Sequence, residues 1–183
     1  QVIESLRRVL PNDAPLVVDV GSHKIHSSLD WPALAPNRFL VSNGLSSMGY
    51  ALPAAMGAAL ALNQPAVCLT GDAGLAMVLG ELGVLARLGL PVAVVVLNDG
   101  AIDLIRSQQV RAGKPVYGTE FPPHHFAQIA AAYGLPGQRI TSAHTLDRTL
   151  ALALHHNGPF LVEVMLDPIS YPTTPRPAPR QEP

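Results

Sequence analysis

Ala66-Val67-Cys68-Leu69-Thr70-Gly71-Asp72-Ala73-Gly74 is the stretch that decides the fold. A short unbroken apolar run ends in Gly-Asp, small residues follow, and a helical pattern continues over 74–88. An apolar run without alternation, closed by glycine, reads as a strand buried on both faces, the signature of a parallel sheet. The same grammar recurs on either side. Further runs lie at Leu16 to Val20, Phe39 to Val41, Val92 to Leu97, around Arg139 to Ile140, and Phe160 to Leu166. Helical patterns lie between them at 49–62, 101–112, 123–133 and 145–156, and the chain opens on another (Val2, Ile3, Leu6, Val9, Leu10). Strands alternating with helices imply βαβ units, so the expected fold is α/β: an open parallel β-sheet of about six strands with helices on both faces.

Composition narrows the function classes. A chain of 183 residues suits one domain, here expected over 1–167, and 48% hydrophobic with 14% charged residues fits a well-buried α/β core. The formal net charge of −1 supplies no basic field for nucleic acid and no polybasic patch for a membrane. The longest apolar stretches, near 49–62 and 90–97, are too short or too broken to span a bilayer. Cys68 sits inside an apolar run, where a buried small hydrophobe is expected, and one cysteine allows no internal disulfide, which fits a cytoplasmic protein. The tail 168–183 carries six prolines and is expected to run extended or disordered. The start at Gln1 rather than Met predicts a segment of a longer multidomain protein.

Three punctuations fall at strand ends: Gly21, Gly71, and Asn98-Asp99-Gly100. Ligands of open α/β sheets bind outside the carboxyl ends of the strands, so one site can draw on all three. After Gly71, the free N–H groups of Ala73 and Gly74 at a helix start would favour an anion. Asp72 would repel a phosphate unless a cation lay between them; its simpler reading is a helix N-cap. Asp99 follows Asp72 by 27 residues and lies just past the next strand, so the two carboxylates can converge on one Mg²⁺. The simpler reading of Asn98-Asp99-Gly100 is a turn.

At these residues the sequence resembles the thiamine-diphosphate-dependent enzymes, whose signature is Gly-Asp-Gly, about 25 residues, then Asn-Asn. Here the pattern reads Gly71-Asp72-Ala73 and Asn98-Asp99, with Ala73 and Asp99 as departures. The resemblance implies Asp72 and Asp99 as side-chain metal ligands and the backbone oxygen of Ala101 as the third, with Gly71, Ala73, Gly74 and Ile102 around the diphosphate. Asp19-Val20-Gly21-Ser22-His23-Lys24-Ile25 is similar to the acetolactate synthase segment at the terminal phosphate, which implies donors at Ser22 and His23 beside Gly21. His23 could otherwise be a helix-start histidine without a ligand. Ser42-Asn43-Gly44-Leu45-Ser46-Ser47-Met48-Gly49 resembles the segment that holds the aminopyrimidine ring. There Met48 would bend the cofactor, with its N–H and the Ser46 carbonyl on the ring edge; the bare alternative is a core methionine.

Gln108 falls where pyruvate-specific members carry glutamine, which implies pyruvate as substrate and a catalytic part for Gln108 beside Met48; an exposed helix residue is the plain alternative. Asp103 stands where relatives often have a small residue. The histidine pairs 124/125 and 155/156 are read as surface or helix-end residues, because adjacent positions on a helix diverge. The resemblance implies the cofactors thiamine diphosphate and Mg²⁺ in an acetolactate synthase-like transferase or lyase that decarboxylates and joins 2-keto acids. It also implies a homodimer or homotetramer and a pyrimidine-binding domain carrying a glutamate. The glutamates before the tail are Glu4, Glu81, Glu120 and Glu163, and none lies in a segment resembling that domain, so this chain alone is expected to be inactive. Another thiamine-diphosphate-dependent 2-keto acid decarboxylase or oxidase, or an inactive cofactor-binding module, are the alternatives.

Overall fold

A computed structural model describes residues 1–122 and 124–167; the expected extended tail from Pro168 lies outside the described residues. In chain order the elements are α1 (Val2–Val9), β1 (Leu16–Val18), α2 (Ser22–Asp30), β2 (Phe39–Val41), α3 (Ala51–Leu62), β3 (Ala66–Gly71), α4 (Asp72–Ala76) and α5 (Glu81–Leu88). They continue as β4 (Val92–Asn98), α6 (Asp103–Arg111), α7 (Phe126–Ala132), β5 (Gly137–Ile140), a 3-10 turn (Ala143–Thr145), α8 (Leu146–His155) and β6 (Phe160–Met165). The strands form one parallel sheet in the order β2-β1-β3-β4-β6-β5.

Side chains alternate across the sheet, and each face has its own core. On one side Cys68, Val94, Val96 and Leu161 pack against Leu52, Met56, Leu82, Leu85 and Phe126 from α3, α5 and α7. On the other, Val67, Leu69, Val95 and Val162 pack against Leu6, Leu146 and Leu150 from α1 and α8. The central strands are therefore buried residue by residue, which is why their sequences are continuous apolar runs. Cys68 is fully buried, and burial pushes its thiol pKa well up, so it serves as core rather than nucleophile. Among the described residues no helix is long and apolar enough to cross a membrane.

The structure differs from the sequence reading at four points. The first strand stops at Val18 rather than Val20, because Asp19 turns its carboxylate under the sheet end. The segment 74–88 is two helices, α4 and α5, split at Met77–Gly80, where Gly80 caps the second. A helix over Ser22–Asp30 was not read from the sequence, since Ser22, Ser27 and Ser28 break up its apolar pattern. The predicted helices near 101, 123 and 145 begin at Asp103, Phe126 and Leu146.

The two rims of the sheet differ in kind. At the amino ends, β1, β3, β4, β5 and β6 are each entered directly from a proline: Pro15, Pro65, Pro91, Pro136 and Pro159. Proline bars the helical conformation at the residue before it and presets an extended entry. Helices α3 and α5 reach that rim through left-handed caps at Asn63 (φ 49°) and Gly89 (φ 59°). The carboxyl-end rim carries the acidic and small residues. The chain steps from β1 out to β2, then crosses back over β1 to β3, and this reversal of direction places a crevice at the carboxyl ends of β1 and β3.

Candidate cofactor site

A cavity of about 180 Å³ opens at that crevice. The β1–α2 turn supplies Gly21, Ser22 and His23, and the loop before α3 supplies Ser46 and Met48. Strand β3 and the start of α4 supply Gly71, Asp72, Ala73 and Gly74; the segment after β4 supplies Asp99, Ala101 and Ile102. These twelve residues, scattered over 82 positions from 21 to 102, thus meet around one space. Gln108 does not join them: it is exposed on α6, outside the cavity lining.

Asp72 begins α4 one residue after β3 ends, and Gly71 pairs in register with Leu97 on β4, so Asp99 emerges beside it. Asp72 Oδ2 accepts the N–H groups of Gly100 (2.7 Å) and Asp99 (3.2 Å), which ties the two strand ends together. Its Oδ1 accepts the N–H of Ala73 (2.7 Å). Asp72 is therefore the first residue of α4 rather than its N-cap, and the Ala73 N–H expected to await an anion is already engaged. Helix α4 is only five residues long, so its dipole adds little.

Asp99 has the stronger perturbation. Its Oδ1 accepts the Ala101 N–H (3.2 Å), while Oδ2 is buried with no hydrogen-bond partner. Burial, followed by the charges of Asp72 and Asp103, pushes its carboxyl up to about 7. Burial likewise raises Asp72, against the pull of the backbone N–H groups it accepts. Two oxygen ligands held at high cost, one of them lacking a partner, suit a hard divalent cation. Ala101 fits as a third donor: its bridge to Glu120 is closed by Ile102 N–H to Thr119 (2.8 Å) and Phe121 N–H to Gly100 (3.0 Å), which leaves the Ala101 carbonyl outside the ladder. Among the described residues no group of three or more His, Cys, Asp or Glu is placed to hold a metal by side chains alone.

His23 is 8% exposed and its Nε2 has no partner; burial lowers its pKa to about 4, so the ring is neutral and Nε2 is available to a ligand. Ser46 holds a left-handed backbone (φ 51°), uncommon without glycine, at the cavity wall. Lys24 reaches from α2 to the Ser42 carbonyl and to the Ser46 hydroxyl (3.4 Å), bracing that loop.

Sequence reasoning gave no role to three residues that shape the site. Asp19, 1% exposed, accepts bonds from Thr70 Oγ1 (2.7 Å) and the N–H groups of Gly49 (3.0 Å), Tyr50 (3.1 Å) and Val20 (2.9 Å). It fixes the Met48 loop to β1 and β3. A carboxylate directly after an apolar strand was the available signal. Asp103 accepts a bond from Ser22 Oγ at 2.6 Å, so that hydroxyl faces a carboxylate. Glu163, wholly buried in β6, accepts from Asn98 Nδ2 (2.7 Å), Arg139 (2.7 Å) and the Ala127 N–H (3.1 Å), holding Asn98 just behind Asp99. Its neighbour in the sheet, not its own flanks, explains it. His125, His155 and His156 sit at helix ends, and His124 lies between the rings of Phe121 and Phe126.

A parallel sheet with a paired-carboxylate cleft at its switch point belongs to a known class. The family described as thiamine pyrophosphate enzyme, C-terminal TPP binding domain, matches residues 19–164, and the chain belongs to it. Among curated proteins it is 33% identical over 162 residues to the acetolactate synthase isozyme 2 large subunit of Escherichia coli (strain K12), covering 86% of this chain and 29% of that protein. It is 35% identical over 172 residues to the isozyme 3 large subunit of the same organism (91% and 30%), and 34% identical over 156 residues to an acetolactate synthase of Arthrospira platensis (83% and 27%). The chain thus spans 27–30% of the length of these relatives.

Proposed function

We propose that this chain binds the diphosphate of thiamine diphosphate through Mg²⁺, as the cofactor-binding part of an acetolactate synthase-like enzyme acting on 2-keto acids, with pyruvate as the first substrate. The observation that carries the metal is the pair Asp72 and Asp99 on neighbouring parallel strand ends, close enough for one charge to raise the other's pKa, with Asp99 Oδ2 lacking a partner. Asp72, Asp99 and the Ala101 carbonyl would hold the ion, and the ion would neutralise a diphosphate that the carboxylates alone would repel. His23 Nε2 would meet the terminal phosphate, and Met48 with the Ser46 carbonyl would meet the pyrimidine ring. When bound, the cofactor supplies the electron sink for decarboxylation; this chain's residues bind and orient it.

The proposal includes an incomplete site. The described residues place no glutamate in the cavity, and the chain's share of its relatives leaves most of their length unmatched. A pyrimidine-binding domain, in the same chain or a partner copy, would complete it. Calorimetric titration of thiamine diphosphate with and without Mg²⁺ tests the reading: Mg²⁺-dependent binding is expected, and Asp72→Ala should abolish it. Equal affinity in the variant would remove Asp72 from the role. Pyruvate turnover by the chain alone is expected to be absent, and a rate comparable with intact enzymes of the class would refute the incomplete-site reading.

A further inference from the structure

Among the described residues, Asp103 is the one cavity-lining acid for which cation binding gives no account. As the first residue of α6 it suits the helix dipole and pairs with Arg106 one turn on (3.1 Å), but a solvent-facing aspartate would do both. Here the side chain is 8% exposed and turned into the cleft. One oxygen takes Arg106 and Ser107 (3.2 Å); the other takes the Ser22 hydroxyl at 2.6 Å, across 81 positions of sequence. That distance is in the charge-assisted range, so Ser22 has found a strong anionic acceptor within the protein itself. Ser22 opens α2 at the cavity wall, beside His23 and its unpartnered Nε2.

We infer that Asp103 competes with the phosphate end of the cofactor for the Ser22 hydroxyl, and that this contact weakens cofactor binding. The inference rests on the thiamine diphosphate reading and deepens it. A phosphate oxygen recruiting Ser22 must break the bond to Asp103, and it must do so beside a carboxylate whose charge opposes its own. Asp103 keeps Arg106 and Ser107 when Ser22 leaves, so the competing state is open to the chain. Removing Asp103 should therefore tighten binding, the reverse of what loss of a cavity-lining polar residue ordinarily does.

The test is calorimetric titration of thiamine diphosphate at saturating Mg²⁺ into the 183-residue chain, D103A, D103N, S22A and the S22A/D103A double variant, each checked by thermal melting. A bond to a charged group carries a net effect equivalent to on the order of tenfold in Kd, so D103A should tighten binding by about that factor. D103N keeps the shape without the charge and should tighten it severalfold; it carries the test if D103A does not fold. S22A should weaken binding at least about fivefold more in the D103A background than in the wild-type one, a coupling that a merely structural Asp103 would not produce. Folded D103A and D103N variants that bind no tighter than wild type, or additive effects in the cycle, overturn the inference and leave the cofactor reading standing. Absence of Mg²⁺-dependent binding in every protein takes down that reading, and this inference with it.

Discussion

Asn98 and Asp99 are neighbours in sequence, yet they face opposite electrostatic conditions. Asn98 points back to Glu163, whose fully buried carboxylate takes three donors, from Asn98, Arg139 and the Ala127 N–H, while Asn98 Oδ1 has no partner. Burial alone would push the Glu163 carboxyl up; the bonds from Arg139, Ala127 and Asn98 outweigh it and hold it below its ordinary value. Asp99 points forward into a cleft with Asp72 and Asp103, where one oxygen has no partner and burial with like charge raises the carboxyl to about 7. The buried carboxylate of the first arrangement has all its donors within the chain. The second leaves Asp99 Oδ2 unmatched, at the place where the proposed cation would sit. Buried charge thus serves here in two ways, as a finished brace and as an open socket, and the brace holds the socket in place.

The largest expected effect comes from opening the brace. Glu163→Ala would take the carboxylate from Arg139, Asn98 and the Ala127 N–H, leaving the first two only the His124 carbonyl they share, and should cost about 3 kcal/mol of unfolding free energy in denaturant titration. A loss below about 1 kcal/mol would show that the network is not the rigid half of the pair. Next is the floor of the socket. A Cβ on Gly74 would come within 2.6 Å of Asp19 Oδ2 and 2.9 Å of Thr70 Oγ1, so Gly74→Ala should cost about 1–3 kcal/mol in the same assay. Unchanged stability would mean that Asp19 yields easily and fixes nothing.

Asp99 should show the opposite sign. Its pKa in the folded, metal-free chain lies above the unfolded value near 3.9, so the folded form holds the proton more tightly. Its contribution is fully favourable below pH 4 and declines as pH rises from about 4 to about 7. Asp99→Asn removes that liability and should stabilise the metal-free chain at pH 8 by about 1 kcal/mol, allowing for solvent screening at a half-buried group, with the gain vanishing near pH 4. Thermal melts across pH read this directly; a variant less stable than wild type at pH 8 would refute the socket. The smallest effect belongs to exposed Gln108, where Ala should change stability by less than about 0.5 kcal/mol. A larger loss would mean that α6 packs against more than the cleft edge shows.

The fold was legible because its central strands are buried on both faces and so carry uninterrupted apolar runs. Short edge-side elements were harder to bound. Helix α2 was missed because its serines hide the apolar face, and the α4–α5 break turns on Gly80 within an otherwise helical pattern. In the site, Asp72 and Asp99 could be paired from the strand–helix–strand spacing alone. Ser22, His23, Ser46 and Met48 came from resemblance, since nothing in their own flanks fixes a distance to β3 or β4. Asp19, Asp103 and Glu163 escaped because each is defined by distant partners, 24 to 81 positions away, a relation that periodicity does not encode.

The proline that opens five of the six strands has a practical corollary. Every turn of that kind lies a strand's length from the cleft; for β3, with six residues, this is roughly 20 Å. Exposed positions there, such as Asn63 and Asn157, offer attachment points for a dye or a surface linker that would leave the ligand-facing chemistry untouched. A reporter at Asn63 would sense the integrity of the sheet, while one near Gly100 would sense occupancy, so the two signals could be recorded separately from the same molecule.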